Sequence, residues 1–252
     1  MLKPIIQISS LSFTYPDGTM ALDGISLDIL EDQCVGLVGP NGAGKTTLLL
    51  HLNGILSGKG TVKIDGLEVC DKNLREIRQK VGIVFQDPED QLFSPTVFDD
   101  VAFGPLTMRL EQKEVLSRVS WALNEAGLAG LEKKAPHHLS FGQKKKASLA
   151  SILSMRPRII ALDEPTSNMD PRSRRRFLQL IKALKATKIL STHDMESVSE
   201  LCSRVVVLDS GRVVADGEVQ SVLSNRELME SHGLEVPLSL KRSQQHPPGE
   251  PS

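Results

Sequence analysis

Apolar and polar positions change their spacing several times along the chain. Ile6, Ile8 and the run Leu11 to Tyr15 suggest a strand, and Pro16, Asp17 and Gly18 end it with turn chemistry. Ile25, Leu27 and Ile29 alternate with Ser26, Asp28 and Leu30, which predicts a second strand antiparallel to the first. Cys34 to Val38 reads as a short buried strand, and Thr47 to Leu52 as the start of a helix. Thr61 to Ile64 and Val81 to Phe85 are further strands, the first closed by Asp65-Gly66 and the second ending at Gln86. From Asp87 to about Met155 the period becomes helical. Val115, Val119, Ala122, Leu123 and Ala126 share one face, and Ser140 caps a second helix with Ala147, Leu149, Ala150, Ile152 and Leu153 on its apolar side. Strand spacing returns at Ile159 to Leu162 and stops at Asp163-Glu164. Asp170-Pro171 predicts a helix start, with Phe177, Leu178, Ile181 and Leu184 as its buried stripe. Lys188 to Thr192 is a strand ending at His193, and Asp194 caps a short helix. Val205 to Leu208 and Arg212 to Ala215 pair through a Ser210-Gly211 turn. After Pro237 the chain becomes polar and Pro-rich, which predicts a disordered tail over 237–252. The organisation is therefore one domain over 1–236 with a helical insertion over about 87–155, and no internal repeat.

Composition narrows the class. Of the 252 residues, 40% are hydrophobic and 24% charged, ordinary values for a globular chain. The formal net charge of −1 gives no global electrostatic case for binding nucleic acid. No apolar run approaches bilayer-spanning length, and Met1 to Ser10 lacks a signal-peptide core, so work at a membrane requires docking onto a partner. Cys34, Cys70 and Cys202 are far apart in sequence and form no C-x-x-C pair. They read as reduced packing cysteines of a cytosolic protein.

The stretch with the most chemistry is Gly39-Pro40-Asn41-Gly42-Ala43-Gly44-Lys45-Thr46-Thr47, a G-x-x-x-x-G-K-[ST] phosphate-binding loop between a strand and a helix. Its glycines permit conformations closed to residues with a Cβ, so several N–H groups can face one phosphate. Lys45 reaches the β- and γ-phosphates, the Thr46 hydroxyl ligates Mg²⁺, and the helix N-terminus adds positive potential. The acidic end of the Ile159 to Leu162 strand supplies the second half of an ATP site. Asp163 holds Mg²⁺ through water, and Glu164 polarises the attacking water, provided the strand end turns the two carboxylates apart.

Leu139-Ser140-Phe141-Gly142-Gln143 resembles the ABC-transporter signature Leu-Ser-Gly-Gly-Gln. Around it the other ABC elements stand in ABC order, from about Ile5 to Gly217. Tyr15 matches the aromatic that stacks on adenine, Gly39 to Thr46 the Walker A loop, and Gln86 the glutamine that senses Mg²⁺ and faces the membrane partner. Ile159 to Asp163 matches Walker B, Glu164 the catalytic glutamate, Ser167 to Asp170 the D-loop, and His193 the switch histidine. The resemblance implies an α/β fold, a P-loop NTPase (RecA-like) core with an antiparallel β subdomain and an inserted α-helical subdomain. It implies ATP and Mg²⁺ as cofactors, with Lys45, Gln86, Glu164 and His193 in the reaction. Tyr15, residues 39–47, Ser140, Gly142 and Gln143 bind nucleotide, and Thr46, Gln86 and Asp163 serve the metal. Ser140 to Gln143 act on ATP held by a second subunit. Phe141 stands where glycine is commoner.

A narrower resemblance lies in Gln86 to Phe93, Ser94 to Val97, Val101 to Pro105 and the Gln143-Lys144-Lys145 run, which look like the ATPase of energy-coupling-factor importers, most of all those for cobalt or nickel. The resemblance implies a homodimer, or a dimer with a paralogous ATPase, at the cytoplasmic face of the cell membrane. It also implies a multi-span coupling subunit and a substrate-binding membrane subunit. An importer for a vitamin or other small solute, and a soluble ABC ATPase acting on nucleic acid, are the alternatives. A small-molecule P-loop kinase leaves Leu139 to Gln143 unexplained. Lys144-Lys145-Lys146 and Arg174-Arg175-Arg176 lack aromatic interleaving and read as solvated helix faces rather than a nucleic-acid surface. Adjacent His137 and His138 read as a solvated loop.

Overall fold

The computed structural model describes residues 3–240. The chain divides into two compact units, one made of the residues up to Val69 together with those from Ile189 on, the other of Cys70–Lys188.

The first unit holds an antiparallel sheet and a mixed one. β1 (Pro4–Thr14) pairs antiparallel with β2 (Met20–Leu30) and, on its other edge, with β4 (Lys59–Ile64), which pairs with the short β5 (Leu67–Glu68). This is the antiparallel β part that the alternating residues Ile6, Ile8, Ile25, Leu27 and Ile29 predict, and all five are buried. In the second sheet β3 (Cys34–Val38) lies parallel to β9 (Arg204–Asp209). β9 forms a hairpin with β10 (Arg212–Glu218), and the residues of β8 (Thr187–Ser191) from Ile189 on flank β3 on its other side. β3 is buried from Val35 to Val38, as a strand covered on both faces must be. It runs through the phosphate-binding loop into α1 (Lys45–Leu52). α7 (Met195–Leu201) packs so closely on β3 that a Cβ at Gly36 would sit 2.5 Å from Val198. Two short helices, α8 (Val219–Leu223) and α9 (Arg226–Ser231), complete the unit.

The second unit joins β6 (Val81–Val84) and β7 (Ile159–Asp163), parallel and in register from Val81↔Ile159 to Val84↔Leu162. Around them lie α2 (Leu74–Lys80), α3 (Val97–Thr107), α4 (Gln112–Glu125), α5 (Phe141–Leu153) and α6 (Pro171–Ala183). The sequence reading does not single out α3, which carries a proline near its end. Pro105 cannot donate to the carbonyl of Val101, four residues back. That carbonyl instead accepts a 2.8 Å hydrogen bond from the Ser154 hydroxyl, so the helix continues past the proline.

Three expectations change. Leu184 is the C-cap of α6 and half-exposed, outside the buried stripe. Lys145 is not on a solvated face: it is fully buried, while Lys144 and Lys146 keep part of their surface. Cys34 and Cys202 are distant only in sequence. The end of α7 returns to the start of β3, and the two thiols, which form no disulfide, stand 3.4 Å apart, sulfur to sulfur. Past Pro237, the Ser239 N–H donates to the Glu196 carboxylate. Residues 241–252 of the expected tail lie outside the described residues.

Candidate nucleotide site

In the first unit the loop after β3 closes on its own lysine. Lys45 Nζ donates to the carbonyls of Gly39, at 2.8 Å, and Pro40, at 3.0 Å. Lys45 itself is buried, and the ammonium is held at the centre of the loop. The curl demands glycine at two points. Gly39 has φ +153° and a Cβ there would fall 2.0 Å from the Leu208 carbonyl oxygen; Gly44 has φ +98° and a Cβ there would meet the Ala21 carbonyl at 2.4 Å. Gly44 is the N-cap of α1, so the helix opens without a side-chain cap and turns its positive end to the loop. Asn41, Gly42 and Thr46 are exposed at this mouth, whereas Ala43 and Thr47 are buried.

Tyr15 belongs to the same place. It follows β1 in a turn closed by the Tyr15 N–H to Thr19 carbonyl bond and the Gly18 N–H to Tyr15 carbonyl bond. Its hydroxyl is 3.0 Å from the Thr47 hydroxyl, and Phe13 meets its ring edge-on at 4.9 Å. A flat aromatic is thus fixed beside the residue that ends the phosphate loop. Beneath it His51 is buried on α1. Its Nδ1 lies 2.8 Å from the Thr47 carbonyl, so that nitrogen carries the proton and donates, and Nε2 has no partner. Burial holds its pKa below the ordinary histidine value, against the opposing hydrogen bond to Thr47. His193 lies between β8 and α7, exposed, with Asp194 capping α7 through the Ser197 N–H.

In the second unit the chain turns as β7 ends. Asp163 is the last strand residue and is buried; Glu164, also buried, adopts φ +42°. The left-handed conformation at a residue with a Cβ costs about 1 kcal/mol or more and persists only where the surroundings hold it. It breaks the strand's alternation between two neighbouring carboxylates. The Ser167 hydroxyl and N–H both donate to the Glu164 carbonyl.

Ser140 and Gln143 form a reciprocal capping box at the start of α5: the Ser140 hydroxyl accepts from the Gln143 N–H at 3.4 Å, and Gln143 Oε1 accepts from the Ser140 N–H at 3.0 Å. Ser140 is exposed, and a Cβ at Gly142 would only touch Ser173 at 3.5 Å. The segment after Gln86 hangs from this same helix. Lys145 Nζ donates to the Gln86 carbonyl at 2.6 Å, Lys144 pairs with Glu89, and Gln91 Nε2 donates to the Ser148 carbonyl at 2.8 Å. Further on, Asp100 Oδ1 accepts from the N–H groups of Phe93 and Ser94, tying that loop to α3. Phe93 then stands edge-on to Phe103 at 5.2 Å with both rings exposed, and Leu106 is exposed one turn of α3 further on. Lys145, Gln91 and Asp100 carry these connections; in the sequence Lys145 reads only as part of a basic run and Gln91 only as part of the Gln86 to Phe93 stretch, and Asp100 is not singled out. Asp100 and Lys145 stand among the buried residues of α3 and α5, and a charge on a helix's apolar face is the signal that marks them.

Comparison with known proteins gives the family. A family model described as "ABC transporter" matches residues 22–167. The chain belongs to the ABC transporter ATP-binding family. It is an ATPase of that family, with the family's α/β fold. It is 50% identical to the energy-coupling factor transporter ATP-binding protein of Carboxydothermus hydrogenoformans, over 94% of this chain and 88% of that protein. Among solved structures it is similar to CbiO1 from Clostridium perfringens, part of the ABC transporter complex CbiONQ, with a TM-score of 0.80 and 37% identity over 96% of this chain and 99% of that one. An ATP-binding cassette solved as a dimer in a post-hydrolysis state with ADP and phosphate gives a TM-score of 0.76 and 28% identity over 85% of this chain and 98% of that one.

Proposed function

We propose that this ATPase is the hydrolysing subunit of an energy-coupling-factor type transporter and energises import of a transition metal ion, cobalt or nickel. The observation that carries the transporter reading is the exposed pair Phe93 and Phe103 beside Leu106. Large apolar side chains grouped on a surface mark an interaction site, and an apolar protein helix at a membrane surface is a fitting partner. The rings follow Gln86 on a segment tied to α5, so movement of the partner and of the helix insertion are coupled through one stretch of chain. The energy-coupling-factor name of one relative, and the assembly of CbiO1 in a transporter complex, support the class. The metal rests on the resemblance of residues 86–105 and 139–146 to the cobalt and nickel uptake ATPases. No helix among the described residues is long and apolar enough to cross a membrane, which suits a peripheral subunit at the cytoplasmic face.

In this reading residues 1–236 are the ATPase domain, residues 87–155 its helical subdomain and residues 237–252 a tail. ATP is bound by the loop from Gly39 to Thr47, with Lys45 exchanging its loop carbonyls for the β- and γ-phosphate oxygens and Tyr15 stacking on adenine. Thr46, Gln86 and Asp163 offer a hydroxyl, an amide oxygen and a carboxylate. This all-oxygen donor set fits Mg²⁺, which when bound neutralises phosphate charge. Glu164 accepts the proton of the attacking water and His193 contacts the γ-phosphate. Two copies act head to tail, and the exposed Ser140 with Gly142 and Gln143 of each binds the γ-phosphate held by the other. Catalysis is then positioning plus charge neutralisation.

The test is to recover the tagged chain from its own cells in mild detergent and identify what accompanies it by mass spectrometry. A multi-span membrane protein with a small metal-binding membrane subunit is the expected result. A vitamin-binding subunit instead would change the substrate. Recovery of only nucleic acid, ribosomes or soluble proteins would overturn the transporter reading.

A further inference from the structure

We infer that Lys145, seated beside the Phe141 ring, is a positioning residue for hydrolysis: its ammonium holds the backbone at Gln86 and at Glu164 together and ties both to α5, the helix that opens at Ser140. The inference rests on the proposed roles of Gln86, Ser140 and Glu164.

The geometry starts with register. Val84 and Leu162 are partners in the parallel pair β6 and β7. Gln86 and Glu164 therefore stand at equivalent places, each two residues beyond the Val84–Leu162 pair, across the gap between the two strand ends. One group spans that gap. Lys145 Nζ donates to the Gln86 carbonyl at 2.6 Å and to the Glu164 carbonyl at 3.0 Å. The second of these bonds acts on the residue in the left-handed conformation, φ +42°. The ammonium thus helps to hold the backbone from which the Glu164 carboxylate is presented.

Lys145 is fully buried, and a buried ammonium is costly unless its charge is met. Two carbonyls meet it directly. The Phe141 ring, one helical turn before, has its centroid 5.8 Å from Nζ, within cation–π range. Asp163, Asp87 and Glu164 surround it electrostatically, although burial still lowers its pKa to about 8. Phe141 is also the residue that departs from the common signature. Its ring occupies the turn of α5 that carries Ser140, so the same helical turn presents the exposed Ser140 hydroxyl and screens the buried cation. A displacement of α5 at Ser140 is passed through Lys145 to two carbonyls, at Gln86 and at Glu164, without an intervening loop. Lys144 to Glu89 and Gln91 to Ser148 add the remaining ties along that helix.

The experiment is steady-state ATP hydrolysis by the full chain with Mg²⁺, comparing wild type with K145M, K145Q, F141L and E164Q, with thermal melting of each. The variants leave Lys45, Tyr15 and the phosphate loop intact. K145M and K145Q are expected to lower kcat about 10- to 100-fold, the scale of a misplaced catalytic group, with KM for ATP within about 2-fold. F141L keeps apolar volume and removes the ring, and is expected to lower kcat about 3-fold at unchanged KM, the scale of a weak cation–π contact. A folded K145M or K145Q with wild-type kcat overturns the inference, as does a loss confined to KM. If neither lysine variant folds, F141L decides, and wild-type kcat in it overturns the inference. E164Q separates the two readings. If it retains full activity, or wild type has none, the proposed roles fail and this inference with them; if E164Q is dead and K145M is fully active, only the inference fails.

Discussion

The Tyr15 hydroxyl stands 3.0 Å from that of Thr47, and this bond links the turn after the first strand to the residue that completes the phosphate loop. It holds an aromatic plane where a base could lie on it. Removing the ring in Tyr15→Ala is expected to weaken ATP binding by roughly 1–3 kcal/mol, about 5- to 150-fold, the worth of one base stacked on one aromatic. Tyr15→Phe keeps the plane and loses only the hydroxyl, so its affinity is expected to stay within several-fold of wild type. Nucleotide titration by fluorescence reads both. Equal losses in the two variants would assign the effect to the hydrogen bond and remove the stacking role.

Glu164 is buried at the point where the chain leaves its strand in a left-handed turn. Glu164→Gln preserves the shape and removes the proton acceptor. Hydrolysis is expected to fall about 10²- to 10⁴-fold, the usual contribution of a general base, while ATP binding persists. With turnover stopped, size-exclusion chromatography with ATP is expected to show a dimer and chromatography without it a monomer. A variant that hydrolyses at the wild-type rate would remove Glu164 from the reaction.

His51 gives a pH dependence that does not involve catalysis. Its Nδ1 proton is committed to the Thr47 carbonyl, and a proton added at Nε2 would be buried without an acceptor. Its folded pKa is depressed below the ordinary value of 6.5, chiefly by burial. Below pH 6.5 the unfolded chain therefore binds more protons than the folded one, and stability falls as pH falls. The contribution is complete above the unfolded pKa and is lost on the way down towards the folded one. Urea unfolding at pH 7.5 and 5.5 is expected to show a smaller difference in His51→Gln than in wild type. Parallel losses in the two proteins would place the acid sensitivity elsewhere.

The regular elements that position the phosphate loop follow from local pattern. Buried Ile6, Ile8, Ile25 and Ile29 alternate, and the loop glycines announce the positive φ that they adopt. What escaped is what long-range contact decides. α3 is continuous because Ser154, some fifty residues away, satisfies the carbonyl that Pro105 leaves open. Lys145 reads as the middle of a charged run until β6 and β7 end on either side of its ammonium. Cys34 and Cys202 became neighbours only when α7 packed across Gly36. In each case one residue's role is set by a partner that no local window contains.

Phe93 and Phe103 are 68% and 54% exposed, so they contribute little to the fold of the free chain, and Asp100 fixes the loop that carries Phe93. The double variant Phe93→Ser with Phe103→Ser is expected to melt within about 2 °C of wild type, as surface changes away from packed contacts do. Its recovery of membrane proteins in the mild-detergent pull-down is expected to drop about tenfold or more, because paired aromatics at an interface commonly supply 2 kcal/mol or more. Asp100→Asn leaves both rings in place and keeps the oxygen that accepts from the Phe93 and Ser94 N–H groups, so it is expected to retain the partner. Undiminished recovery in the double variant would move the docking surface off these rings. Loss in both variants would show that the conformation of the loop, rather than its apolar surface, is what the partner reads.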